Sequence, residues 1–214
     1  MILVLLLITV FFSIAAPDEP WAWLATVVVL AATLRIAMSA SGARPNVVRT
    51  WSVVAGLGIG ASVFIAITQA PKYASGYLAL TTLLLTLVTI SAIAHRLWLH
   101  PEISVLTVLG ALCIYVLIGL SFALVFAAVG TLGPQPFFAS REGGTRSDYL
   151  YFSFITLATV GYGDLEPQGG LGRALAVMEG LFGQIYLVTA VAALVGNLGR
   201  TRALRQERKE ERDR

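Results

Sequence analysis

Apolar residues along this chain fall into long blocks, separated by short clusters of charge, glycine and proline. A membrane-spanning helix needs roughly 20 mostly apolar residues. Six blocks are candidates: residues 2–16, 21–40, 51–70, 76–97, 103–129 and 171–198. The pattern predicts an all-α integral membrane protein with about six transmembrane helices. The first block is short and stops at Pro17. It reads either as a spanning helix or as a signal peptide: Ser13-Ile14-Ala15-Ala16 has the small residues of a cleavage site, but no basic residues precede the apolar run. His100-Pro101-Glu102 reads as a helix start, with proline in the first turn and an acid near the positive dipole end. Gly56 and Gly60 give the third block a small-xxx-small face suited to close packing. No internal repeat of the inverted-transporter kind is visible.

Between the last two blocks the pattern changes. Residues 130–146 are rich in glycine, proline and charge, which predicts a loop at the outer surface. Ser147 offers an N-cap, followed by Asp148 and the apolar run 149–157. That run is about ten residues, too short to span. It predicts a re-entrant helix that enters from outside and stops near mid-membrane. Non-helical backbone at that depth is tolerated only if it is buried in protein or lines a water-filled cavity. Residues 159–163 then return to the surface in extended form, ending at Asp164 and Pro167. Gly161 and Gly163 adopt positive φ at little steric cost, which lets successive carbonyls turn toward one side, and Thr159 adds a hydroxyl. A ring of such strands would offer stacked oxygen cages able to replace the hydration shell of a cation. The negative dipole end of the re-entrant helix also favours a cation. One chain supplies one strand, so a closed pore requires several chains.

Composition agrees with this picture and removes other classes. The chain is 57% hydrophobic and 13% charged, against about a quarter charged in soluble domains. A net charge of +3 concentrated toward one end does not point to nucleic acid. With the C-terminus inside, eleven basic residues lie in the cytoplasm, among them Arg35, Arg44, Arg49, Arg96 and those of the tail. Four remain outside: Lys72, Arg141, Arg146 and Arg173. Cys113 is the single cysteine and reads as a small buried hydrophobe. No nucleophile–base set or metal-ligand spacing is visible. His95 and His100 flank a membrane interface, and Gly169, Gly170 and Gly172 lack a phosphate-loop lysine. An enzyme is therefore not expected, nor a cofactor or a small-molecule substrate. Residues 76–97 contain Arg96 alone. Each charge moved through the field yields about 2.3 kcal/mol per 100 mV, so steep voltage gating is not expected. The charged tail reads as a solvated helical extension, with no nucleotide- or calcium-binding domain expected in it.

The run Thr156-Leu-Ala-Thr159-Val160-Gly161-Tyr162-Gly163-Asp164 resembles the signature filter of potassium channels, whose core is T-V-G-Y-G. The order helix, short re-entrant helix, filter, helix over residues 103–200 resembles that family's pore module, in a prokaryotic form without a basic voltage-sensing helix. The resemblance implies a homotetramer in a cell membrane, with potassium conducted passively along its fourfold axis. It implies a four-helix membrane domain over 1–100 and a pore domain over 101–200. The pore domain would comprise an outer helix 103–129, a pore helix 148–157, a filter 159–163 and an inner helix 171–198, followed by a cytoplasmic tail over 201–214. Membrane lipid and further copies of the chain are the partners it implies.

By the same resemblance, carbonyls of Thr159, Val160, Gly161 and Tyr162, with the Thr159 hydroxyl, coordinate dehydrated potassium, and Gly163 completes the filter. Tyr162 points away from the ions and packs against Tyr151 and Phe152, while Thr156 and Asp164 support the filter from behind. In relatives a tryptophan, and sometimes a glutamate, of the pore helix bonds to that aspartate. Tyr151 and Ile155 stand at those positions, and only Tyr151 can donate a hydrogen bond. Asp164 and Glu166, repeated fourfold, would gather cations at the outer mouth. Gly183 matches the glycine hinge of inner helices, with close helix packing as the competing use. Gln184 and Leu187 fall where family members line the central cavity. Glu179 is an ionisable residue within a spanning segment, which is expensive and points to function. It shares a helical face with Gly183, and reads either as a proton-sensitive latch or as a structural partner for a pore-helix hydroxyl. Two other functions compete. A potassium transporter subunit usually carries four degenerate filter loops in one chain, and this chain has one. A non-conducting membrane scaffold or sensor would keep the pore fold without flux.

Overall fold

The computed structural model describes residues 2–15, 71–99, 105–140 and 143–212, with the single positions Ala32, Val53, Gly56 and Gly60. The blocks expected at 21–40 and 51–70 and the helix start at His100 lie outside the described residues, apart from those single positions. The described elements are helices α1 (Ile2–Ala15), α2 (Pro71–Leu99), α3 (Val105–Leu132), α4 (Arg146–Leu157) and α5 (Gly170–Arg212). Among the described residues there is no strand, and an isolated antiparallel bridge joins Phe138 to Pro167.

Among the described residues, three stretches are long and apolar enough to cross a membrane: Ser75–Leu99, Thr107–Leu132 and Gly170–Ala190. At 1.5 Å per residue each covers about 30 to 40 Å, the thickness of a hydrocarbon core or more. Among the described residues the chain is all-helical, with the long apolar helices of a membrane protein. Helix α1, with 14 residues, covers only about 21 Å. It packs on α3 and α4, burying Leu6 and Val10. The Ser147 hydroxyl of α4 donates to the Ile14 carbonyl of α1 at 2.7 Å.

Helix α3 is the centre of the described chain and touches α1, α2, α4 and α5. It is apolar around its whole circumference, as a helix enclosed on several sides must be. Cys113, Leu117, Leu120, Leu124 and Phe126 are all buried in it. Against α3, helix α2 lays a threonine stripe, Thr82, Thr86 and Thr89. Each hydroxyl donates to the carbonyl four residues back, at 2.7 to 2.8 Å, so the buried oxygens stay satisfied inside their own helix.

The segment 130–146, expected as a surface loop, departs from that reading. Phe137, Phe138 and Arg146 are buried. Phe137 packs 5.1 Å from Phe126 and 4.9 Å from Phe138, and Phe138 stacks at 5.2 Å on Tyr149. Such aromatic pairs contribute about 0.5–1.5 kcal/mol each beyond the area they bury. Two backbone bonds flank the pair: Ala139 donates to Glu166 at 2.9 Å and Gln168 donates to Phe137 at 2.8 Å. The outer loop is thereby fastened to the segment that follows the filter sequence.

Helix α5 runs without interruption into the charged segment read from sequence as a helical extension. Gly172, Glu179 and Gly183 are buried on one face, with Ala176 and Tyr186 half-buried between and beyond them. Leu171, Val177, Leu181, Ile185 and Val188 stand exposed on the others.

Candidate functional site

Helix α4 carries the site. It has 12 residues, about 18 Å, too short to span. Its N-cap is Thr145, not Ser147: the Asp148 amide donates to Thr145 Oγ1 at 3.1 Å, and the Thr145 amide donates to Asp148 Oδ2 at 2.9 Å. This reciprocal capping box satisfies two orphan donors at once. Ser147 lies one residue inside the helix, and its hydroxyl is used on α1 instead.

The inward face of α4 presents Tyr149, Leu150, Ser153 and Leu157, all buried. Two glycines let the neighbouring helices come close to it. A Cβ on Gly119 of α3 would meet Leu157 Cδ2 and Phe154 at 3.0 Å. A Cβ on Gly183 of α5 would meet Leu157 Cδ1 at 2.6 Å and the Leu157 carbonyl oxygen at 3.0 Å. Leu157 is therefore clamped between α3 and α5. The same end of α4 is held by Tyr115, whose hydroxyl donates to the Leu157 carbonyl at 3.2 Å. Tyr115 stacks on Tyr186, and Tyr186 donates to the Ala111 carbonyl at 2.7 Å.

From this clamped end the chain enters the filter sequence. Thr159, Gly161 and Gly163 have φ of 56°, 55° and 77°, while Val160 and Tyr162 between them keep negative φ. A backbone that alternates hands at every residue turns its carbonyls to one side and its amides to the other. The amide side faces α4: Thr159 donates to Thr156 at 3.0 Å, and Val160 and Gly161 both donate to Ile155, at 2.8 and 3.3 Å. Among the described residues, no backbone amide donates to the carbonyls of residues 159–163 outside a helix. The two glycines meet the expectation for positive φ. Thr159 extends the alternation to a third position, and a β-branched residue in the left-handed region is strained by about 1–3 kcal/mol. Its hydroxyl donates to the Ala158 carbonyl at 2.7 Å, leaving the oxygen lone pairs free to accept.

Behind this segment Tyr162 stacks on Tyr151, with ring centroids 6.5 Å apart and planes 6° from parallel. Phe152 does not join them. It turns to the other side of α4 and packs edge-on against Phe126 at 5.2 Å. The two residues are consecutive on a helix and so face about 100° apart. The Tyr151 hydroxyl lies near enough to the Asp164 carboxylate to feel its charge. Ile155 contributes through its carbonyl, which anchors Val160 and Gly161. Thr156 likewise acts through its carbonyl. Asp164 and Glu166 are both exposed, and Arg173 Nε donates to the Pro167 carbonyl at 3.3 Å.

Glu179 is fully buried. Its Oε1 lies 2.5 Å from Ser153 Oγ, which in turn lies 2.6 Å from the Gly119 carbonyl oxygen. Of the two uses read for Glu179, partnership with a pore-helix hydroxyl is the one with a contact in the structure. Gly183 sits in close packing, and α5 is helical through it. Gln184 and Leu187 lie exposed on the uncovered side of α5.

Sequence reasoning named neither Ser153 nor Gly119 nor Thr145. A hydroxyl in the otherwise apolar stripe of α4 was a readable signal for Ser153, and T-x-x-D was one for Thr145. Gly119 had none, because α3 shows no preferred face.

Comparison with known proteins agrees with this geometry. Residues 131–199, from the end of α3 into α5, match a family model described as ion channel. The inward rectifier potassium channel Kirbac3.1 of Paramagnetospirillum magnetotacticum is 31% identical over 90 residues, 42% of this chain and 29% of that protein. Protein LctB of Bacillus caldotenax is 35% identical over 96 residues, 44% of this chain and 65% of its own length. Protein LctB of Geobacillus stearothermophilus is 38% identical over 78 residues, 34% and 56% of the respective chains. The match thus spans less than two thirds of each of these relatives. Over this segment the chain is thus similar to ion-channel proteins, one of which is named a potassium channel.

Proposed function

We propose that this chain is one subunit of a homotetrameric, potassium-selective channel that conducts K+ passively across a cell membrane, with its C-terminus in the cytoplasm. The observation that carries the reading is the alternation of left-handed Thr159, Gly161 and Gly163 with Val160 and Tyr162, anchored through its amides to the end of α4. In this reading four such strands surround an axis. Carbonyls of Thr159, Val160, Gly161 and Tyr162, with the Thr159 hydroxyl, replace the hydration shell of the passing ion. The C-terminal end of α4 adds its negative dipole to the same place. Asp164 and Glu166 raise the cation concentration at the mouth.

Assembly from several copies is supported by what one chain leaves uncovered. Val160 is 50% and Tyr162 71% exposed, and backbone without partners at membrane depth must line a protein-enclosed, water-filled path. Gating by a steep voltage sensor is not part of the proposal, because Arg96 is the single lysine or arginine within Ser75–Leu99.

Purified protein in liposomes under a potassium gradient tests this directly. Potassium flux well above sodium flux is expected, together with ions on a fourfold axis in a density map. An intact oligomer that passes both ions equally, or neither, overturns the reading. Flux that requires a coupled second ion would instead identify a transporter subunit.

A further inference from the structure

We propose that Glu179 is a neutral carboxylic acid, the donor end of a hydrogen-bond chain that runs from α5 through Ser153 of α4 to the Gly119 carbonyl of α3. The count of protons decides this. Ser153 Oγ is in hydrogen-bond contact with two oxygens, the Gly119 carbonyl at 2.6 Å and Glu179 Oε1 at 2.5 Å. A serine hydroxyl has one proton and two lone pairs. A peptide carbonyl has no proton to give, so the contact with Gly119 uses the serine's own. Toward Glu179 the serine then offers only a lone pair, and the proton in that contact belongs to the carboxyl. An ionised Glu179 would compete with Gly119 for a single proton and leave one pair of oxygens facing each other with none.

A second observation agrees. Glu179 is fully buried and its Oε2 has no hydrogen-bond partner among the described residues. As a carboxylate it would hold half of its charge on an oxygen that nothing solvates. As an acid, Oε2 is a neutral carbonyl oxygen, far less expensive to leave bare. From α3, Tyr115 is the titratable side chain close enough to couple to a charge on Glu179, and a phenol supplies no cation. From α4 the facing group is Ser153.

Glu179 is a positioning residue. Its chain fastens three helices at one level, six residues before the strained Thr159. Gly119 and Gly183 make the approach possible, by bringing α3 and α5 against Leu157 of the next turn. The inference rests on the channel reading only in giving that fastening a purpose, and its test is independent of conduction.

Infrared difference spectra of the full chain in lipid vesicles, wild type minus Glu179→Gln, test it at about pH 7.5, roughly three units above the ordinary glutamate value. The expected result is loss of an acid carbonyl band that shifts in D2O. Loss of the paired carboxylate bands instead overturns the proposal. Should Glu179→Gln fail to assemble, wild type labelled with ¹³C-glutamate carries the same test. A label-shifted acid carbonyl band is expected at that pH, and its absence overturns the assignment. Unfolding of the reconstituted protein then reads the fastening. Glutamine, whose amide can donate where the acid did, is expected to stay within about twofold of wild type in its unfolding equilibrium, and Glu179→Ala to lose about tenfold. Equal stability of the two variants would show that no donor is needed there. A chain that folds this way and proves not to conduct leaves the proton assignment standing.

Discussion

Replacing Gly183 by alanine separates packing from hinge motion, the two uses open for this residue. The new methyl would stand 2.6 Å from Leu157 Cδ1 and 3.0 Å from the Leu157 carbonyl oxygen. The leucine has little room to turn aside. It is 1% exposed, and Gly119 presses on its other methyl. The carbonyl is backbone, tied to Tyr115, and cannot rotate away at all. Helix α5 must therefore shift, and overpacking of this kind costs about 1–3 kcal/mol. Against it stands the helix-propensity gain of alanine over glycine, about 1 kcal/mol. Gly180 supplies the control, since a Cβ there meets nothing within 4 Å in the chain. Gly180→Ala takes the propensity gain without the clash. The difference between the variants isolates packing, and should be about 1–3 kcal/mol, roughly 5- to 150-fold in the unfolding equilibrium at about 1.4 kcal/mol per tenfold. Denaturant titration of the reconstituted protein measures it. Gly183→Ala as stable as Gly180→Ala would refute the packing argument and return the residue to a hinge role. Adding Leu157→Ala to Gly183→Ala should recover part of the loss, a coupling of about 0.5–3 kcal/mol for residues in contact.

Other expectations are simpler. Tyr151→Phe removes the hydroxyl that lies near Asp164 while sparing the ring stack on Tyr162; single-channel recordings should show shorter open bursts, and unchanged bursts would deny the hydroxyl a role. Thr145→Ala breaks the capping box of α4 and should destabilise the protein by about 0.5–2 kcal/mol, whereas Ser147→Ala leaves that cap intact; calorimetry that ranks them in the opposite order would contradict the assignment. Macroscopic current should follow voltage nearly linearly, because one arginine at the end of α2 offers only about 2.3 kcal/mol per 100 mV per subunit; a steep sigmoid would reveal charges outside this helix.

What was legible in the sequence was local. The brevity of the run before Thr159, and the glycines within four residues after it, depend on a dozen neighbouring positions, so re-entry and left-handed backbone could be read directly. Thr159 was harder. Its side-chain type argues against positive φ, and the amides of Val160 and Gly161 reaching back to Ile155 hold a conformation that local preference opposes. Residues decided by distant contacts were illegible or misread. Phe137 and Phe138 sit in a stretch whose composition says surface, yet Phe126, Tyr149 and Phe152 lie more than ten residues away on either side and bury them. The resemblance sets both Tyr151 and Phe152 against Tyr162, but they are adjacent on a helix, and its geometry sends one to Tyr162 and the other to Phe126.

Burial in this chain is distributed so that one side of residues 159–163 is finished and the other is not. The amide side of residues 159–161 rests on α4, which in turn rests on α3, α5 and α1, with Glu179, Ser153 and Gly119 joined at the centre. The carbonyl side has no such backing among the described residues, and the apolar face of α5 bearing Leu181, Ile185 and Val188 is equally uncovered. Lipid can cover that apolar face, but it cannot solvate carbonyls, each of which costs several kcal/mol when left bare in hydrocarbon. A second copy can cover the face and, arranged about an axis, enclose the carbonyls with water and ions. Under the proposed function, assembly and ion binding therefore answer one physical demand. A substitution that loosens the Leu157 clamp should weaken both together, since the same helix end supports the strand and sets the angle of α5.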